Sequence, residues 1–414
     1  MARGGPRFAR RESFGHACDL VTGMMSALPR KNCWTVAEHV GDPVPYGLQN
    51  LLSRASWDHD GVRDDLRGYV IEHLGDPGGI LVADETGDLK KGTATVGVQR
   101  QYTGTAGRIE NAQVAVHLTY TSSAGHAMID AELYLPESWT SAPARLAAAG
   151  VPDDVGFATK PQLAAQMINR ALDAGTPASW VTADEVYGTY GDLRAELEAR
   201  RIGYVLAVAC DHRIRTPAGK QRVDGLAARL PRLAWQERSA GAGAKGPRLY
   251  QWALIDILAH DTAHDPPDGH RWLLIRRNRT TGELAYYRCY APGPVPLRTL
   301  VTVAGRRWTV EESFQAGKGL CGLDEHQVRT WTSWRRWAIL SMLAFAFLAV
   351  QTTRERTTPA PGGMIPLTCN EIAHLINTHT AADRDHHLRW SQWRRRHQHT
   401  ARHCHYQQRQ ASHI

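Results

Sequence analysis

Two aspartates each close a short apolar run: Gly78-Gly-Ile-Leu-Val-Ala-Asp84 and Ser179-Trp-Val-Thr-Ala-Asp184. A brief apolar run bounded by small residues and ending in an acid reads as a buried strand with a carboxylate at its C-terminal end. A lone Asp there is usually a turn or cap residue. Two such ends in one α/β sheet suggest more, because ligands collect where strands end. Converging carboxylates suit hard divalent cations, which take oxygen ligands. Glu85 and Glu185 follow directly, and continued strand alternation would turn them away from the site. Asp88 is a rival, placed beyond the strand in a Thr86-Gly87 turn.

A third acid must come from elsewhere. The segment Arg307-Trp-Thr-Val-Glu311-Glu-Ser-Phe-Gln-Ala-Gly-Lys318 spaces Arg307, Glu311 and Lys318 by four and seven residues. On a helix all three share one face, with Trp308, Val310 and Phe314 toward the packing side. Glu312 is the rival acid, turned about 100° away. A salt-bridged surface helix would show the same spacing. The chemistry that uses three such acids is in-line attack on a phosphodiester. Two Mg²⁺ ions about 3.5–4 Å apart activate the attacking oxygen and stabilise the leaving one, and Mn²⁺ can substitute. Clustered carboxylates repel one another until cations relieve them. Arg307 and Lys318 then suit phosphates, one by paired hydrogen bonds and the other as a point charge.

The elements that must hold these residues read as a mixed α/β core. Residues 1–75 read as helical and polar, a candidate DNA-binding module. Residues 76–211 alternate strands and helices. Strands are expected at 96–103, 111–121 and 203–209, and helices at 160–174 and 192–201. Residues 212–300 are rich in Gly, Pro and short β-like runs and read as a β-rich insertion. Residues 301–356 return to helix and carry Glu311. Residues 357–414 form a basic C-terminal region.

The formal charge of +8 and pI of about 9.2 favour a polyanionic partner. At 43% hydrophobic residues a sizeable core is possible and global disorder is excluded. Seven cysteines without a C-x-x-C pair argue against a disulfide framework or a cysteine zinc site, and fit a reducing cytoplasm. The apolar stretch Trp337 to Val350 is shorter than a bilayer span and reads as a core helix, so no membrane partner is expected. Arginines interleaved with tryptophans at Arg329, Arg335 and Arg336 can grip backbone phosphates. A core helix end with snorkelling arginines is the alternative. The run Arg394-Arg395-Arg396 reads as a DNA-backbone patch or as a solvated tail.

In combination, Asp84-Glu-Thr-Gly87, Trp180-Val-Thr-Ala-Asp184-Glu-Val-Tyr-Gly188 and the Arg307/Glu311/Lys318 helix resemble the DDE transposases of bacterial insertion sequences. The run from Gly97 to Asn111 looks like their DDE superfamily endonuclease group. The resemblance implies a ribonuclease-H-like mixed sheet with flanking helices, interrupted by a β-rich insertion before the helix of the last acid. It implies Asp84, Asp184 and Glu311 as catalytic metal ligands, and cut-and-paste cleavage and strand transfer on double-stranded DNA at element ends and target. A homodimer or higher oligomer in a synaptic complex goes with it. The family's helix signature puts Tyr where Ala304 stands, so one phosphate contact is missing. Two other readings are a catalytically idle DNA-binding descendant and a ribonuclease-H-like nuclease without strand transfer.

Overall fold

The computed structural model describes residues 2–243, 246–258, 269–357 and 366–377, and beyond them 385, 386, 389, 390, 393 and 400. In chain order the first helices are α1 (Arg11–Met24), α2 (Cys33–Val40), α3 (Tyr46–Ser53) and α4 (His59–Leu74). Strands β1 (Ile80–Leu89), β2 (Gln99–Thr103), β3 (Arg108–Thr121) and β4 (His126–Leu133) follow. Next are helices α5 (Glu137–Thr140), α6 (Pro143–Ala148) and α7 (Lys160–Asp173). Strand β5 (Trp180–Ala183), helices α8 (Glu185–Gly188) and α9 (Gly191–Ala199) and strand β6 (Gly203–Val208) complete the first half. The second half opens with β7 (Arg213–Thr216), β8 (Gly219–Arg222) and α10 (Val223–Ala227). Four strands then run together: β9 (Gln236–Gly243), β10 (Gly246–Asp256), β11 (His270–Arg277) and β12 (Leu284–Ala291). Helices α11 (Leu297–Arg306), α12 (Trp308–Cys321), α13 (Trp331–Arg356) and α14 (Cys369–Asn377) end the described elements.

The chain divides into two compact units, one of residues 66–315 and one of residues 1–65 with 316–414. The first is built on a sheet of order β2-β3-β1-β5-β6-β12-β11-β10-β9, with β4 on the far side of β3. Only β1–β5 and β5–β6 are parallel. Parallel pairing needs a crossover, and α7 and the α8–α9 segment supply the two. Helix α7 starts with a reciprocal cap between Thr159 and Gln162, and buries Leu163, Ala164, Met167, Ile168 and Ala171, as its spacing predicts. The residues read as an insertion extend this same sheet: β12 pairs antiparallel with β6 and carries β11, β10 and β9 outward. Helix α11 closes onto β9, with Gly305 against the Ala240 carbonyl.

The second unit is helical. α13 packs with α1, α3 and α14. It is long and apolar enough to cross a membrane by length and composition, but 78% of its apolar window is buried inside the protein. It thus groups with the N-terminal helices, where the sequence places 301–356 with the catalytic core. The indole of Trp390 is also buried here and donates to the Asp42 carbonyl (2.5 Å), while His386 reaches the Glu38 carbonyl (2.6 Å).

Candidate active site

Asp84 and Asp184 stand side by side because β1 and β5 run parallel. The ladder ends at Ala83 opposite Ala183, so the two acids leave adjacent strands about 4.8 Å apart. Asp84 is not at a strand end, as the sequence suggests. β1 continues to Leu89, because the long β3 keeps pairing with it after β5 has stopped. Thr86 and Gly87 are therefore strand, and Asp88 lies within it. Asp184 is the N-cap of α8, its Oδ1 accepting from the Val186 amide (2.9 Å). It is both a cap and a candidate ligand. Gly188 lets α8 sit against β6, since a Cβ there would lie 1.8 Å from the Ala207 carbonyl oxygen.

The pair is electrostatically crowded. Burial pushes the Asp84 carboxyl up to about 8, reinforced by the charge of Asp184 and opposed by Arg307. Burial and the Glu85 charge also raise Asp184. The Arg307 guanidinium donates to Asp84 Oδ2 at 3.3 Å and is the cation this carboxylate has in the protein alone. Two carboxylates on adjacent strands, each acting electrostatically on the other's surroundings, form an all-oxygen donor set that fits a hard divalent cation.

Glu85 does not turn away from the pair. Its carboxylate accepts from Lys160 Nζ (2.7 Å) and from the Tyr187 hydroxyl, and its charge acts on both aspartates. Glu185 is the exposed neighbour. Lys160 and Tyr187 were not singled out from the sequence, and Glu85 was expected to face away. The signal for Tyr187 was its place three residues after Asp184, within the α8 turn. Nothing local marks Lys160, which joins from the first turn of α7.

The helix of the third acid is set by its neighbours. Phe314 packs edge-on against His117, the ladder partner of Asp84, with ring centroids 5.3 Å apart. Ser313 is 2.8 Å from His126 Nδ1. Glu312 is paired with His126 Nε2 at 3.3 Å, which lowers its carboxyl below the ordinary range. The rival acid is thus paired with the sheet's His126, although both Glu311 and Glu312 are exposed. Among the described residues, Asp84, Asp184 and Glu311 are not gathered within 4.8 Å of one another. Two details depart from the expected single face. Arg307 sits at the junction of α11 and α12 and caps the first of them. Trp308 is 50% exposed where a packing residue was expected, although Val310 and Phe314 are buried.

The basic residues divide. Arg329 is exposed and Lys318 partly so. Arg335 and Arg336 point inward, contrary to the expected phosphate contacts. Arg335 donates to Asp60 (2.7 Å), and Arg336 donates to the carbonyls of Leu51 (3.1 Å) and Ala55 (2.6 Å) with its guanidinium over the Trp57 ring. The end of α3 leaves carbonyls without helical partners, and a buried guanidinium satisfies them. Arg394, Arg395 and Arg396 lie outside the described residues.

A family model described as DDE superfamily endonuclease matches residues 5–238, more than half of the chain. The chain belongs to that family. A second model, transposase DDE domain, matches residues 157–347 and so takes in Glu311. This DDE-family chain is 31% identical over 194 residues to a probable transposase for insertion sequence element IS701 from Microchaete diplosiphon. The match covers 47% of the chain and 48% of the relative, so it spans about half the length of that protein. Among solved structures, it resembles a piggyBac transposase in a synaptic complex with hairpin DNA, with TM-score 0.42 and 11% identity. That likeness covers 90% of this chain and 71% of the other.

Proposed function

We propose that this DDE-family chain is an insertion-sequence transposase that cleaves and joins DNA strands, with divalent metal held by Asp84, Asp184 and Glu311. One observation carries the reading: two carboxylates on adjacent parallel strands, one raised to about 8 by burial and its neighbour and balanced by Arg307. Such a pair is costly to the fold and useful to a cation. Glu311 is read as the third ligand, a choice supported by the engagement of its rival Glu312 with His126. Two Mg²⁺ ions bound there, or Mn²⁺ in their place, would supply an activated attacking oxygen and charge stabilisation for the leaving one.

The chain's own groups do the rest. Lys160 and Tyr187 hold Glu85 in place, so that its charge bears on the pair in a fixed geometry. Arg307, which donates to Asp84 in the protein alone, would be available to a DNA phosphate were the carboxylate to hold a cation, and Lys318 and Arg329 would add further backbone contacts. Exposed Trp308, next to Arg307, offers a ring for an unstacked base. The basic segment at Arg394, Arg395 and Arg396 holds duplex DNA, and the N-terminal helices form a DNA-binding module. The sheet is read as a ribonuclease-H-like core, supported by an antiparallel β4-β3-β1 half beside a parallel β1-β5-β6 half. The reaction is read as cut-and-paste, in a synaptic complex of two or more copies on element ends and target.

The test is incubation of purified protein with a duplex carrying the element end and a target plasmid, with Mg²⁺ or with chelator. Metal-dependent cleavage and a joined product are expected. Cleavage without joining would make the protein a nuclease. Full activity in chelator would overturn the metal reading, and absence of cleavage with metal would leave an idle DNA-binding descendant.

A further inference from the structure

The helical unit holds a second group of ligand-type side chains, on residues that the transposase reading does not use. His16, Asp19 and Asp42 each offer one donor atom, all within 4.8 Å of one another. His16 and Asp19 lie one turn apart on α1. Asp42 follows α2, held by its amide on the Ala37 carbonyl (2.9 Å). His16 Nδ1 is 3.9 Å from Asp19 Oδ2 and 3.8 Å from Asp42 Oδ2. These distances are too long for hydrogen bonds.

Both His16 Nδ1 and Asp42 Oδ2 are buried atoms that make no hydrogen bond among the described residues. Buried polar atoms are ordinarily satisfied, and those that are not call for an explanation such as an ion. The imidazole is placed by a lack of side chain opposite it: a Cβ on Gly47 would lie 2.4 Å from its Cε1. Its other nitrogen, Nε2, faces Glu12 Oε1 at 3.8 Å. Burial holds the Asp19 and Asp42 carboxyls above the ordinary range, with the His16 charge opposing.

We infer that His16, Asp19 and Asp42 form a transition-metal site that ties α1 to the end of α2. One imidazole and two carboxylates suit Zn²⁺ and its neighbours better than Mg²⁺ or Ca²⁺, which take oxygen alone. Ligand bonds of about 2.0–2.2 Å bring tetrahedral partners to roughly 3.4 Å apart, so His16 Nδ1 and each carboxylate oxygen must close by about half an ångström from their 3.8 and 3.9 Å separations. Asp19 is the more exposed carboxylate, 43% by side chain against 23% for Asp42, and gives the ion its way in. The site is structural and independent of the transposase reading.

The test uses Co²⁺ as a visible probe on the full chain. Co²⁺ titrations would compare wild type, Asp84→Asn with Asp184→Asn, His16→Gln and Asp42→Asn, with folding checked by circular dichroism. The double variant should keep one Co²⁺ with strong visible bands, as wild type does. His16→Gln and the isosteric Asp42→Asn should each weaken that ion at least tenfold. Zn²⁺ should raise the thermal midpoint of wild type and not of Asp42→Asn. Unchanged Co²⁺ affinity in folded Asp42→Asn would overturn the site, as would loss of the ion in the double variant. Absence of any bands in wild type, with His16 titrating as an imidazolium by NMR, would assign the cluster to a charge balance instead.

Discussion

Asp84, Asp184 and Glu311 can be separated from their acidic neighbours by removing one charge at a time. Asp84→Ala, Asp184→Ala and Glu311→Ala should each lower strand cleavage by more than about a hundredfold, beyond the loss expected from a group that only orients a ligand. DNA affinity should stay within a few-fold. Glu312→Ala should still cleave; a dead Glu312→Ala beside an active Glu311→Ala would reverse the roles on α12. Asp84 also sets a pH dependence. Its carboxyl sits at about 8 in the protein alone, so Mn²⁺ must displace a proton below that pH. Mn²⁺ affinity measured by calorimetry should rise by up to about tenfold per pH unit toward 8 and then level. The metal-free fold runs the other way. A raised carboxyl keeps a proton that the unfolded chain has lost, so stability falls as pH climbs from about 4 to 8. Denaturant titrations across that range should flatten in Asp84→Asn. Arg307 provides a third reading of the same charges. Arg307→Gln should bind Mn²⁺ more tightly without DNA at a pH high enough to ionise Asp84, because a cation opposing Mn²⁺ is gone, whereas at lower pH the carboxyl, pushed further up, favours the proton. If its affinity matches wild type, the Arg307–Asp84 pair does not compete with the cation.

Among the elements, the strands and helices that carry periodic apolar residues were legible: β1, β5, β6 and α7 lie where the sequence puts them. The acids at Asp84 and Asp184 were legible for the same reason, since an apolar run names its own end. What was not legible depends on partners distant in sequence. The continuation of β1 through Gly87 requires β3, and the local Thr-Gly pair reads as a turn. The turned-in Glu85 requires Lys160, seventy-five residues away. Arg335 and Arg336 look like phosphate contacts because alternating Arg and Trp serve a nucleic-acid surface and a buried helix end alike. The carbonyls of Leu51 and Ala55 decide between them. Arg336→Met should therefore cost about 2–3 kcal/mol of stability by leaving buried acceptors unsatisfied. It should leave the salt dependence of DNA binding unchanged. A flatter slope in a variant of normal stability would return Arg336 to the DNA interface.

For the whole molecule, the basic balance of +8 fits the DNA partner proposed above, and its strongest run lies at Arg394, Arg395 and Arg396. Replacing all three with Ala should weaken specific and random duplexes alike. It should also lower the slope of log affinity against log salt by roughly 0.9 for each phosphate that is no longer neutralised. An unchanged slope would take this segment out of the interface, and weaker binding to the element end alone would make it a reader of bases.

The helical unit is assembled from both ends of the chain, with 250 residues, Leu66–Gln315, between its halves. During synthesis the first half must therefore wait. At roughly 5–20 residues per second the ribosome needs on the order of ten to fifty seconds to pass the intervening stretch. Through that interval the faces of α1 and α3 that α13 will cover, around Leu20, Leu48 and Leu51, remain open to water and to other nascent chains. The buried Trp390 prolongs the wait further. A message broken between the codons of Gln315 and Trp390 would yield a chain whose sheet has folded and whose helical unit has not. Such fragments would be substrates for chaperones and proteases rather than competitors for DNA.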